Sequence, residues 1–186
     1  MSPEDLIELL PDRIEKALTE LLTPGETIHV KLKGAFKEGL VCTDMRVMVL
    51  KGGFMAGQVF GNNAFQLPYS NVSGVQVVHH LVSGYFELSA GGMQNTPKSY
   101  WSSDKKSDPA KAPNCISLNS KRQREKFLEA CAFILSRVDQ VDSDASGRRE
   151  TGEVFKALER LGILKESGVL SEDEFNVKKE ELLKRL

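Results

Sequence analysis

Nothing in this 186-residue sequence approaches the ~20 consecutive apolar residues that a membrane-spanning helix needs. The pattern of a secretory signal is lacking too. Met1-Ser2-Pro3-Glu4-Asp5 is acidic rather than basic-then-apolar, so a cytoplasmic chain is expected. Charge of one sign is also absent. Lys and Arg number 25 against 26 Asp and Glu, a formal net charge of −1, which gives no global pull towards nucleic acid or an anionic membrane. Cysteine is scarce. Cys42, Cys115 and Cys131 are odd in number and widely spaced, with no Cys-x-x-Cys and no Cys/His cluster. That argues against a zinc site, and the three read as small buried hydrophobes in a reducing compartment. His79-His80 is the sole histidine pair, and adjacent strand residues point to opposite faces, so the two cannot easily share a metal. Nothing supplies a nucleophile with its base. No catalytic residue, metal ligand or cofactor is assigned, and the chain is read as not an enzyme.

What is present is a change of period. Ser2 to Leu22 reads as an amphipathic helix, with Pro3 at its first position and a kink or restart expected at Pro11. Thr23-Pro24-Gly25-Glu26 is a turn, and after it the period falls to two. Ile28, Val30 and Leu32 alternate with His29, Lys31 and Lys33, as in a strand with one wet face. Further strands are expected over Gly39–Thr43 and Arg46–Leu50 about a tight turn at Thr43-Asp44-Met45, then over Ala64–Leu67, Val72–His80, Tyr85–Ser89 and Asn114–Leu118. Phe54–Asn63 is a glycine-rich apolar tip. A helix from Asn119 or Ser120 to about Val138 carries Phe127, Ala130 or Cys131, Ile134, Leu135 and Val138 on one face. Asp139–Arg149 is polar and reads as a linker. The fold class expected is α+β: a strongly bent antiparallel sheet or half-barrel, capped by a C-terminal helix, preceded by an N-terminal helix and followed by an αα-hairpin.

That hairpin, in residues 151–186, has the clearest signals. Val154, Phe155, Leu158, Leu161 and Leu164 recur at three- and four-residue spacing. Gly168 stands where a helix end needs a left-handed residue. Ser171 with Glu174 three residues on makes a capping box, and Phe175, Leu182, Leu183 and Leu186 form a second stripe. A hairpin of this size cannot bury enough apolar surface to stand alone, so its stripe must lie on something.

Leu158, Leu161, Leu164, Ser167-Gly168-Val169-Leu170-Ser171, Glu174-Phe175, Lys178-Lys179 and Leu182-Leu183 resemble the short C-terminal domain known as SHOCT. The resemblance implies a bacterial or phage setting and a role in association rather than chemistry. Pro24-Gly25-Glu26, the strand-turn-strand Gly39–Leu50, Pro68–Val75 and the helix Arg124–Ile134 resemble a bacterial pleckstrin-homology-like (PH-like) domain. The chain therefore divides into an N-terminal helix (1–23), a PH-like domain (24–138) with an insertion at 91–113, a linker (139–150) and a SHOCT hairpin (151–186).

Three surfaces compete for the function. Lys31, Lys33 and Lys37 lie where a PH domain would hold an inositol phosphate, but the arginine that completes such a site is absent. These lysines, or the apolar loop Phe54–Phe60, make a peripheral membrane or lipid-binding domain the alternative reading. Lys121-Arg122-Gln123-Arg124-Glu125-Lys126 is the strongest basic run, yet it interleaves Glu125 and reads as a charged helix start, so no nucleic-acid partner is assigned. Tyr100-Trp101, in the polar insertion, either folds back on the core or anchors an interface. The preferred reading is a non-catalytic binding and assembly module, a homo-oligomer or one that docks a protein partner through the hairpin. Its interaction residues are Phe155, Leu158, Leu161, Phe175, Leu182 and Leu183, with Tyr100 and Trp101.

Overall fold

A computed structural model describes residues 3–52, 63–79, 83–92, 108–167, 169 and 171–184. The chain divides into two compact units, Met1–Val138 and Asp139–Leu186.

The first unit opens differently from the helix expected over residues 2–22. Pro3–Leu6 is a short 3-10 turn, Ile7 bridges in parallel to Lys31, and helix α1 (Asp12–Leu21) begins only after Pro11. Proline disfavours helical backbone at the residue before it, so Leu10 is extended. Leu10 gains burial in return, packing so close to Gly39 that a Cβ there would lie 2.9 Å from its Cδ1. The Leu10 N–H donates to the Glu15 carboxylate at 2.9 Å, which ties the extended segment to the helix across the proline.

Seven strands follow among the described residues. β1 (Ile28–Lys33), β2 (Glu38–Thr43), β3 (Arg46–Lys51) and β4 (Asn63–Pro68) form one antiparallel sheet in chain order. β5 (Val72–His79), β6 (Gly84–Ala90) and β7 (Cys115–Leu118) form a second. The Asp44–Met45 turn sets the register. Glu38 stands opposite Lys51, Leu40 opposite Val49 and Cys42 opposite Val47. Val30 and Leu32 of β1 extend that row opposite Cys42 and Leu40. The other face of the sheet presents Val41, Met48 and Leu50, which cluster with Leu10 and with Ile14 and Leu18 of α1. Burying Ile14 and Leu18 stabilises the unit by about 1.5–3 kcal/mol each. With both faces covered, β2 and β3 read as almost continuous apolar runs.

The two sheets meet where β1 runs into its turn. The Ala35 N–H donates to the Ser117 carbonyl at 2.7 Å. Gly34 permits this approach, because a Cβ there would sit 2.5 Å from Cγ2 of Ile116. Helix α2 starts at Lys121 and lies across both sheets in its early turns. Phe127 packs on Phe86 of β6 with ring centroids 5.5 Å apart, and Phe133 packs on His29 of β1 at 5.5 Å. Phe127, Ala130 and Ile134 are buried, as the apolar spacing predicts, while Leu135 is exposed. The fold is α+β, and its strand number, antiparallel order and closing helix agree with the PH-like expectation. The bent sheet is realised as two sheets rather than one.

α2 does not stop near Val138. It runs Lys121–Glu166, so residues 139–150, expected to be a linker, are helical. The polar residues accommodate this. Ser143 and Ser146 donate their hydroxyls to the carbonyls four residues back, at 2.8 Å each, and stretch 139–150 contains no proline. In the second unit α2 is followed by α3 (Glu172–Leu183).

Candidate functional site

The turn of the hairpin is built from local rules. The N–H of Val169 donates to the Leu164 carbonyl at 3.0 Å, the long-range bond of a Schellman helix end. Gly168, on which that end was expected to rest, lies outside the described residues. Ser171 is the N-cap of α3. Its Oγ accepts the Glu174 N–H at 3.3 Å, and Glu174 Oε2 accepts the Ser171 N–H at 2.9 Å, so the capping box is complete. Lys165 pairs with Glu172 at 2.7 Å, and its Nζ stands 4.7 Å from the centroid of the Phe175 ring. These contacts clip the end of α2 to the start of α3.

The apolar residues of the hairpin divide. Val154 and Leu161 are buried, while Leu158, Phe175 and Leu182 are half-buried. Phe155 is 55% exposed, Val177 57% and Leu183 46%, and α3 buries no residue at all. Between α2 and α3 lies a groove of about 810 Å³ with Leu161, Leu164 and Leu182 along it. It brings two of the expected interaction residues, Leu161 and Leu182, together. Phe155, Leu158, Phe175 and Leu183 are not among its lining residues. Tyr100 and Trp101 lie outside the described residues, as do the apolar loop Phe54–Phe60 and His80.

The first unit holds two groups of buried charge that sequence reasoning did not single out. Arg46 makes a fork to Glu26, Nε to Oε1 at 2.9 Å and Nη2 to Oε2 at 2.7 Å. Its remaining donors go to Gln66 Oε1 and to the Leu21 carbonyl. The Arg46 hydrogen bond holds the Glu26 carboxyl down at about 2, helped by the Thr23 N–H and the Thr43 hydroxyl. Lys51 donates to Glu38 Oε1 at 2.9 Å and to the Pro109 and Ala110 carbonyls at 3.2 and 2.9 Å. Glu38 Oε2 accepts the Ser117 N–H at 2.7 Å. Burial pushes the Glu38 pKa up, against the pull of Lys51. Perturbed carboxylates often mark reactive sites. Here the ammonium of Lys51 has three protons and three acceptors, and both carboxylates are engaged by protein donors, so each group acts as a structural clasp. Counting outward from the Asp44–Met45 turn finds the Glu38–Lys51 pair in the sequence, and Arg46–Glu26 has no such local signal.

Two of the basic candidates, Lys31 and Lys126, are paired internally. Lys31 is covered by α1, where its Nζ binds Glu15 at 2.8 Å, so the expected wet face of β1 is partly dry. Lys126 binds Glu8 at 2.6 Å, and the Lys33 N–H donates to the same carboxylate at 2.9 Å. Gln123 reaches the Lys33 carbonyl at 3.0 Å. Gln123 and Lys126 thus tie the start of α2 to the N-terminal segment and the end of β1. All three cysteines are buried thiols outside any disulfide, and burial raises the Cys131 thiol to about 11.

Residues 156–183 match the family described as the Short C-terminal domain, SHOCT. Among solved structures, a pleckstrin homology domain from Shewanella amazonensis SB2B is similar, with a TM-score of 0.35 and 19% sequence identity over 47% of this chain and 73% of that one. Comparison with curated proteins gives no match. Among the described residues no helix is long and apolar enough to cross a membrane.

Proposed function

We propose that this chain is a non-catalytic binding and assembly module, in which residues 24–138 form the scaffold and the C-terminal hairpin mediates homo-oligomerisation or protein docking. One observation carries the reading: α3 has a complete capping box yet buries no residue, it flanks an open groove lined by Leu161, Leu164 and Leu182, and elsewhere on the hairpin Phe155, Val177 and Leu183 are exposed. A helix of about this length is marginal alone in water, so a covering partner supplies the missing burial. Three buried cysteines with no disulfide among them fit a reducing compartment.

Light scattering of the full chain beside the chain truncated after Gln140 tests it. The full chain should run well above its monomer mass of 20.6 kDa, and the truncated chain should not associate. A full chain that stays strictly monomeric would overturn oligomerisation, and association that survives the truncation would remove the hairpin from it.

A further inference from the structure

We infer that the partner of the hairpin is a second copy of the same hairpin, the two α2 segments packing antiparallel about a twofold axis with Glu153 of each chain facing Arg160 of the other. The inference rests on the assembly reading and names the occupant that reading leaves open.

Glu153, Ala157 and Arg160 follow one another at four- and three-residue spacing on α2, with Lys156 next to Ala157, and all four line the groove. The acid stands at the front of this ridge and the bases behind it. Neither Glu153 nor Arg160 forms an ion pair among the described residues. A twofold antiparallel crossing centred beside Ala157 converts both unspent charges into two identical opposite-charge contacts. A parallel crossing sets Glu153 on Glu153 and Arg160 on Arg160, and like charges so placed are repulsive. Ala157, the smallest side chain of the ridge, lets the helices approach at the axis, and Leu161, Leu164 and Leu182 lie in the groove beside it. A twofold contact is self-complementary by construction, so one mixed-sign ridge suffices. A strongly acidic or basic partner finds no single-sign field here.

The test uses the full chain and three variants, E153R, R160E and E153R/R160E, followed by sedimentation equilibrium, with circular dichroism as a check on helix content. Both sites are exposed helix positions, and the substitutions are good helix formers. Each single variant should weaken self-association by about tenfold or more, because each places like charges at both crossings. The double variant should regain it. An equimolar mixture of E153R and R160E chains should also regain it, since the two meet with opposite charges at both crossings. The inference is overturned if the single variants associate like the natural chain, or if neither the double variant nor the mixture recovers. Unchanged single variants in a chain whose association still depends on residues beyond Gln140 would overturn this geometry alone. A strictly monomeric natural chain would overturn the assembly reading with it.

Discussion

α1 and α3 are helices of ten and twelve residues held by opposite means. α1 has no side-chain cap, and Pro11 stands at its N-cap position. It is fixed by what it covers: Ile14, Ala17 and Leu18 are buried, and Glu15 reaches both Lys31 and the Leu10 N–H. α3 has a complete capping box, three acidic residues in its first turn that suit the helix dipole, and pairs from Lys178 to Glu181 and Lys184 to Glu180. It covers nothing. Local signals of this kind contribute about 0.3–1.5 kcal/mol each, far below a well-packed face. A helix with strong punctuation and no core is therefore defined in outline while its partner is left open.

The contrast can be broken hardest from the side of the buried charges. Lys51→Ala strands Glu38 in the interior of the first unit, and an uncompensated buried charge costs about 3–5 kcal/mol. Denaturant unfolding followed at the sheet should show the loss, with the helicity of α3 unchanged. The pH dependence has a definite sign. Burial already raises Glu38 above 4.5, and without Lys51 the folded state holds this proton more tightly than the unfolded chain. The variant should lose stability further as pH rises above 4.5, and a flat profile there would count against the clasp.

Glu26→Gln should come next. Glu26 is held at about 2, so its stabilisation is present above 4.5 and lost as pH falls through that interval. Removing the charge should cost about 2–3 kcal/mol at neutral pH and flatten the acid limb of the stability curve between those values. Gly34→Ala, which drives a Cβ to 2.5 Å from Ile116, should cost about 1–3 kcal/mol, read as a lowered unfolding midpoint of the sheets. The smallest effect belongs to the hairpin. Ser171→Ala should cost α3 about 1 kcal/mol, visible as faster hydrogen exchange at Glu174 with the sheet unchanged.

The strands were legible because β1 alternates and because β2 and β3 turn back at Asp44–Met45, which fixes every partner between them. The capping box at Ser171 was legible because its two bonds lie within four residues. Two features were not. The N-terminal stripe Leu6–Leu22 has helical spacing on both sides of Pro11, but a partner strand was available, and the extended segment pairs with Lys31 instead. Asp139–Arg149 has the composition of a linker, yet α2 runs through it, with the hydroxyls of Ser143 and Ser146 satisfied on carbonyls four residues back. Of the hairpin residues, spacing alone could not separate buried Leu161 from exposed Phe155, since both belong to one broad stripe.

The clasp at Lys51 has a consequence for the stretch between residues 91 and 113. On the entry side the Gly91 N–H is tied to the Asn71 carbonyl at 3.2 Å. On the exit side the carbonyls of Pro109 and Ala110 are moored to Lys51, and Asp108 accepts the Ala110 N–H at 3.0 Å. Both moorings stand on groups outside residues 93–107. The two ends of the stretch are thus each footed on the first unit by bonds of their own, so the spacing between Gly91 and Asp108 is set from outside the segment that joins them.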